Sequence, residues 1–350
     1  MSRNERKAAE GGESAGRIRA GQGTRRIIYA VGGGLLLYAI GLALFGDRSA
    51  DRENDGIETP EGRMVQAGSE PVHFTPPSED TIPDGPVGDS IRRGRDIFAN
   101  TPANAGEFVG NELSCANCHL DNGRRANSAP MWSAWLGYPT YRGKNDRINT
   151  MEDRIQGCFT YSMNGQDSPS GGPPPLGHDV YKDIQSYMYW MATGAPTGAK
   201  LEGGGYPKVE KPELGYDPAR GAEVYAAHCA TCHGTDGVGQ RDLNGRPVFP
   251  PLWGPESYNW GAGMARINTA AAFIKANMPL GQSNRLTDQE AWDVAAFINS
   301  HERPRDPRQA GPGLTVEEAY ERFHKGDDIY YGQVINGKLL GTGTPVPERN

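Results

Sequence analysis

The chain is short of cysteine, of histidine and of net positive charge. It holds five cysteines and seven histidines in 350 residues. Lysine and arginine total 36 against 43 acidic residues, a net charge of -7. That balance lacks the basic excess that draws nucleic acid, and nucleic acid is not expected as a partner. Long apolar runs are scarce as well. Residues 27–45 form one, uncharged throughout, and as a helix they would extend about 28 Å at ~1.5 Å per residue, enough to cross a bilayer. Glycine and proline, in contrast, are plentiful at 48 and 27. With the chain length, they suggest two or three modules rich in loop.

Four of the five cysteines fall in "CANCH" (Cys115, Cys118, His119) and "CATCH" (Cys229, Cys232, His233). Two thiols three residues apart match the two vinyl groups of one haem, and the histidine that follows lies under the iron as proximal ligand. A zinc site would need four ligands, and a thioredoxin-like dithiol would need a βαβ pattern. Each motif therefore reads as one covalent haem c, two in all.

Before the apolar run stand Arg3, Arg6, Lys7, Arg17, Arg19, Arg25 and Arg26. A cleaved signal would place a small residue where this chain has Arg48, so an uncleaved anchor is expected. The expectation is a cytoplasmic basic segment over 1–26, a single transmembrane helix over 27–46 and an extended Pro/Gly-rich linker over 47–85. The haem-bearing part should then face the periplasm from the inner (cytoplasmic) membrane, which agrees with the export compartment that covalent haem attachment needs.

Beyond the linker the chain repeats itself. Arg93, Gly94, Ile97 and Phe98 stand before the first CxxCH as Arg220, Gly221, Val224 and Tyr225 stand before the second. Each unit closes on an amphipathic helix. In the first, Val180, Ile184, Tyr187, Met188 and Met191 share a face; in the second, Trp292, Ala295 and Ile298 do, behind a Thr287/Glu290 capping box. The expected fold is all-α, with two class I cytochrome c-like domains in tandem at 86–200 and 217–303. Residues 201–216 join them, and 304–350 form a Pro/Gly-rich tail around one short helix, with no chemistry assigned. His228 reads as a bystander to Cys229, and Lys275 as a solvated helix residue.

The distal ligands are less uniform. "ANMPLGQ" offers Met278, a loop thioether suited to raising the second haem's potential. In the first unit Met163 follows His119 at almost the spacing by which Met278 follows His233. Repeat logic alone makes Met163 the first distal ligand. It leaves Cys158 without a partner thiol, either inert or functional.

The segment "YRGKNDRINTMEDRIQGCFTYSMNG", with "TIPDGPVGDSIRRGRDIF" upstream and "TGAKLEGGGYPK" downstream, resembles the di-haem thiosulfate dehydrogenases over about residues 75–303. The resemblance implies that Cys158 is the distal ligand of the first haem, that sulfur chemistry occurs there through a Cys-bound intermediate, and that Met278 serves the second haem. Some members have a lysine just before that methionine; this chain has Asn277. Joining two thiosulfates into tetrathionate releases two electrons, one for each haem. A small dianion needs cations and fixed donors. Arg154, one helical turn before Cys158, is the leading candidate, followed by Arg142, Lys144 and Arg147, with Ser162 and Asn164 as neutral donors. A c-type cytochrome or terminal oxidase would take the electrons. The competing expectation is a non-catalytic, membrane-anchored di-haem carrier with two His/Met haems, kept open by Met163.

Overall fold

The computed structural model describes residues 70–142, 147–244, 247–310 and 313–346. Among them, the helices of seven or more residues are α1 (Pro86–Ala99), α2 (Met151–Gly157), α3 (Asp179–Met191), α4 (Pro218–His228), α5 (Ile267–Asn277), α6 (Asp288–Asn299) and α7 (Val316–Phe323). The fold is mostly helical. Three antiparallel hairpins, which no periodicity announced, depart from the all-α expectation: β1 (Thr140–Arg142) with β2 (Arg147–Asn149), β3 (Gln240–Arg241) with β4 (Pro247–Phe249), and β5 (Val334–Ile335) with β6 (Lys338–Leu339). The last turns on Asn336-Gly337, both at positive φ, as a tight two-residue hairpin requires. The anchor at 27–46, the basic segment 1–26 and Lys144 lie outside the described residues. Among the described residues no helix is long and apolar enough to cross a membrane.

Two helix pairs organise the core, α1 on α3 and α4 on α6, with α5 also packed on α6. Each pair crosses at a glycine. A Cβ on Gly94 would stand 2.0 Å from the Asp183 carbonyl oxygen, and one on Gly221 would stand 2.0 Å from that of Asp293. The same aspartates receive the preceding arginines in forked pairs. Arg93 Nε and Nη2 donate to Asp183 at 2.9 and 2.8 Å, and Arg220 Nε and Nη2 donate to Asp293 at 2.7 Å each. The Arg-Gly signature read from the repeat is thus a crossing device: glycine permits the approach and the fork fixes its angle. Gly221→Ala should cost about 1–3 kcal/mol through overpacking and lower the thermal midpoint of the haem-loaded chain. A calorimetric scan that shows no decrease would contradict this role for the crossing.

The segment expected to be an extended linker is built into the body where it is described. Phe74 packs on Trp132 at 5.6 Å, Val72 pairs with Leu201, Ile82 is buried, and Arg124 donates to the Pro76 and Pro77 carbonyls. The tail is also structural. Ile329, Tyr330, Tyr331 and Leu340 are buried, Trp260 N–H donates to the Pro304 carbonyl, and Ile267 N–H donates to that of Asp328. A buried Asp306 ties Arg308 to His324. Burial opposes its ionisation, but those two partners outweigh burial and hold its carboxyl well below the usual range.

Candidate active site

The segment that carries Cys158 begins as an ordinary helix and then widens. Thr150 and Asp153 form a reciprocal capping box at the start of α2. The chain then passes into a π turn over Cys158–Ser162, with Met163 N–H reaching back to the Cys158 carbonyl at 3.1 Å. Such turns leave carbonyls without helical donors, and here asparagines from elsewhere supply them. Asn259 Nδ2 donates to the Thr160 carbonyl at 3.0 Å, Asn259 N–H to that of Tyr161 at 3.1 Å, and Asn111 Nδ2 to that of Ser162 at 2.8 Å. Asn259, from the second half of the chain, and Asn111, from the first, thereby hold the Cys158 turn in shape.

Cys158 opens onto a cavity of ≈380 Å³ that Cys115, Cys118, His119 and Met163 also line. A second cavity, ≈310 Å³, is lined by Cys229, Cys232, His233 and Met278. Each therefore brings together two thiols, an imidazole and a soft sulfur ligand, and Leu113, Cys118, Tyr258 and Met264 face both. The imidazoles are prepared alike: His119 Nδ1 lies 2.8 Å from the Ala129 carbonyl and His233 Nδ1 lies 2.9 Å from that of Pro250. With Nδ1 as donor, Nε2 is left as a lone-pair ligand. Burial pushes His119 down to about 4 and lowers His233, so both stay neutral, as a metal ligand must. Burial also pushes the Cys115 and Cys118 thiols up to about 12 and Cys229 to about 11. Neutral thiols in an apolar wall suit thioether formation better than thiolate–zinc ligation. These residues fit haem c.

The two cavities differ in charge. Arg142 and Arg154 line the first with no carboxylate among its lining residues, whereas the second has no Asp, Glu, Lys or Arg in its lining. Arg154 is exposed, and it lines this cavity, where its Nη1 donates to Cys158 Sγ at 3.0 Å. The neighbouring Cys158 sulfur raises the Arg154 pKa, with Tyr138 and Tyr206 adding to it. An anion entering here would meet a guanidinium beside a potential sulfur nucleophile.

The other expected substrate residues divide. Arg142 and Ser162 line the cavity. Arg147 faces Arg142 in the β1–β2 register but reaches Asp153 at 3.4 Å and does not line it. Asn164 does not line it either: it is buried at positive φ and donates to the Ser257 carbonyl at 2.9 Å, because the turn after Met163 needs a left-handed residue and a tie to the 257–259 loop. Lys275 is partly exposed but tied down; it donates to the Leu286 carbonyl at 2.7 Å and pairs with Asp288 at 2.9 Å. Asn277 is fully buried and donates to the Asn127 carbonyl at 2.9 Å. His228 lines the second cavity without a ligand-like arrangement of its own. Sequence reading missed Tyr138 and Tyr206, which line the first cavity from distant loops. No motif marks either one.

Comparison with known proteins agrees with this geometry. Residues 217–298 match the family described as "Cytochrome C oxidase, cbb3-type, subunit III", a cytochrome c domain. The thiosulfate dehydrogenase of Stutzerimonas stutzeri (strain A1501) is 50% identical over 272 residues, covering 77% of this chain and 86% of that protein. That of Thiomonas intermedia (strain K12) is 46% identical over 314 residues, covering 89% and 97%. The solved structure of thiosulfate dehydrogenase (TsdBA) from Marichromatium purpuratum, in its "as isolated" form, is 55% identical with a TM-score of 0.74; the match covers 78% of this chain and 58% of that one. With identities of this size over most of its length, and with haem c implied by both the cytochrome domain and the CxxCH motifs, the chain belongs to the thiosulfate dehydrogenase family.

Proposed function

We propose that this chain is a periplasmic di-haem thiosulfate dehydrogenase. It oxidises two thiosulfates to tetrathionate and passes two electrons to a c-type cytochrome or an oxidase. The observation that carries this reading is the Arg154–Cys158 contact inside a haem-type cavity that holds two arginines and no carboxylate. Cys115, Cys118, His119 and Cys158 would hold the first haem, and Cys229, Cys232, His233 and Met278 the second. Each haem, when bound, takes up one electron. The domains at 86–200 and 217–303 would then be a catalytic module and an electron-transfer module, and residues 27–46 would anchor them to the inner membrane.

Within the first cavity the chain's own groups account for the sulfur chemistry. Arg154 and Arg142 draw the dianion in and offset its charge. The Cys158 thiolate bonds the sulfane sulfur of one thiosulfate, giving Cys–S–S–SO₃⁻ as two electrons leave. A second thiosulfate attacks the sulfane sulfur of that adduct, the Cys158–sulfur bond breaks, and tetrathionate departs as the thiolate is regenerated. Asn259 and Asn111 hold the carbonyls of the π turn, so Cys158 returns to one position. The same steps run in reverse when electrons are supplied.

The carrier alternative rests on Met163, which is buried and lines the same cavity as Cys158. Purified haem-loaded chain mixed with thiosulfate and ferricyanide separates the two readings. The enzyme reduces about two ferricyanides per tetrathionate formed, as the electron balance requires. No thiosulfate-dependent reduction at any pH from about 4 to 8 would leave the carrier.

A further inference from the structure

The strap at 201–216 carries a side chain into the first cavity that the steps above do not use. Tyr206 lines it together with Cys158, Arg142 and Arg154. The strap is held there by its backbone. Asn127 N–H donates to the Gly203 carbonyl at 2.8 Å and Ala129 N–H to that of Gly205 at 3.2 Å. It therefore lies along the loop whose Ala129 carbonyl also orients His119. This approach needs glycine. A Cβ at Gly203, where φ is +67°, would meet the Ala126 Cβ at 2.7 Å, and one at Gly204 would meet Ser133 Oγ at 2.4 Å. From the other half, Phe273 packs edge-on against the Tyr206 ring at 5.8 Å and 82°.

The ring is thus fixed by the strap's backbone and by α5, and the half-buried side chain lines the cavity. Burial raises the Tyr206 pKa far above the ordinary phenol value, so it remains a neutral donor. A fixed phenol donor in the same wall as two guanidiniums and the Cys158 sulfur, with no carboxylate among the lining residues, is suited to an oxyanion.

We infer that Tyr206 is a substrate-binding residue that donates a hydrogen bond to a sulfonate oxygen of the thiosulfate taken up at Cys158. The inference rests on reading this cavity as the thiosulfate site. Tyr206 would select the oxyanion end of the substrate, leaving the sulfane end for Cys158. It undergoes no covalent change.

The test compares haem-loaded wild type with Tyr206→Phe, which keeps the ring and its packing. The KM for thiosulfate should rise about tenfold or more, the loss expected for a hydrogen bond to a charged group, while kcat falls far less and the haem spectra stay unchanged. Tetrathionate added to the oxidised proteins should raise the thermal midpoint of wild type more than that of the variant. An active wild type beside a variant with the same KM and the same tetrathionate-induced shift overturns the inference and leaves the site's reading intact. A wild type without thiosulfate turnover overturns both.

Discussion

Cys158→Ala should abolish thiosulfate oxidation, lowering turnover by about 10³-fold or more, with both haems still covalently attached. The other four cysteines belong to CxxCH motifs, so the substitution removes the one thiol left for sulfur chemistry. Met163 is buried on the same cavity, and in the variant it should replace Cys158 as ligand, giving the first haem a His/Met character. A thiolate is a soft, anionic ligand, so the wild-type first haem should show a thiolate-type low-spin EPR signal and a low potential. The variant should lose the signal and gain potential together with the loss of turnover. If only turnover fell and the signal persisted, Cys158 would not be the iron's partner.

The second large effect belongs to Arg154. Arg154→Ala should lower kcat/KM by about 10²–10³-fold, the range measured when a preorganised donor is removed from the place where charge changes. Its Nη1 touches Cys158 Sγ at 3.0 Å and its guanidinium faces the cavity, so the loss should appear in both KM and kcat. Arg154→Lys should recover only part of it, since an ammonium keeps the charge but not the planar fork. The covalent haem content measured in parallel should not change. An Arg154→Ala enzyme with unaltered kcat/KM would show that the guanidinium serves the fold alone.

What the sequence made legible is what local pattern can carry. The CxxCH spacing names its own chemistry. Helices α3 and α6 follow apolar periodicity, and Val180, Ile184, Tyr187, Met188, Met191, Trp292, Ala295 and Ile298 are all buried. The capping box at Thr287 and Glu290 is present. Arg154 falls beside Cys158 because four helical residues make about one turn. The rest depends on pairings between residues far apart in sequence. Neither the π turn nor the Asn259 and Asn111 donors that complete it leave a periodic trace. Asn164, next to Met163 in sequence, looked like a substrate donor, but positive φ and the Ser257 carbonyl claim it for the backbone. Arg147 looked equivalent to Arg142, but the β1–β2 hairpin gives them different surroundings, and only Arg142 lines the cavity. The tail's composition marked it only as Pro/Gly-rich around one short helix; its buried Ile329, Tyr331 and Leu340 emerge only once the body they cover exists.

Sulfur carried on Cys158 during turnover is visible by peptide mass spectrometry on haem-loaded enzyme quenched in acid while it oxidises thiosulfate with ferricyanide. The expected product is a Cys158 peptide bearing an S-thiosulfonate that fresh thiosulfate discharges as tetrathionate. Steady turnover with Cys158 unmodified throughout would rule out a covalent route through this thiol.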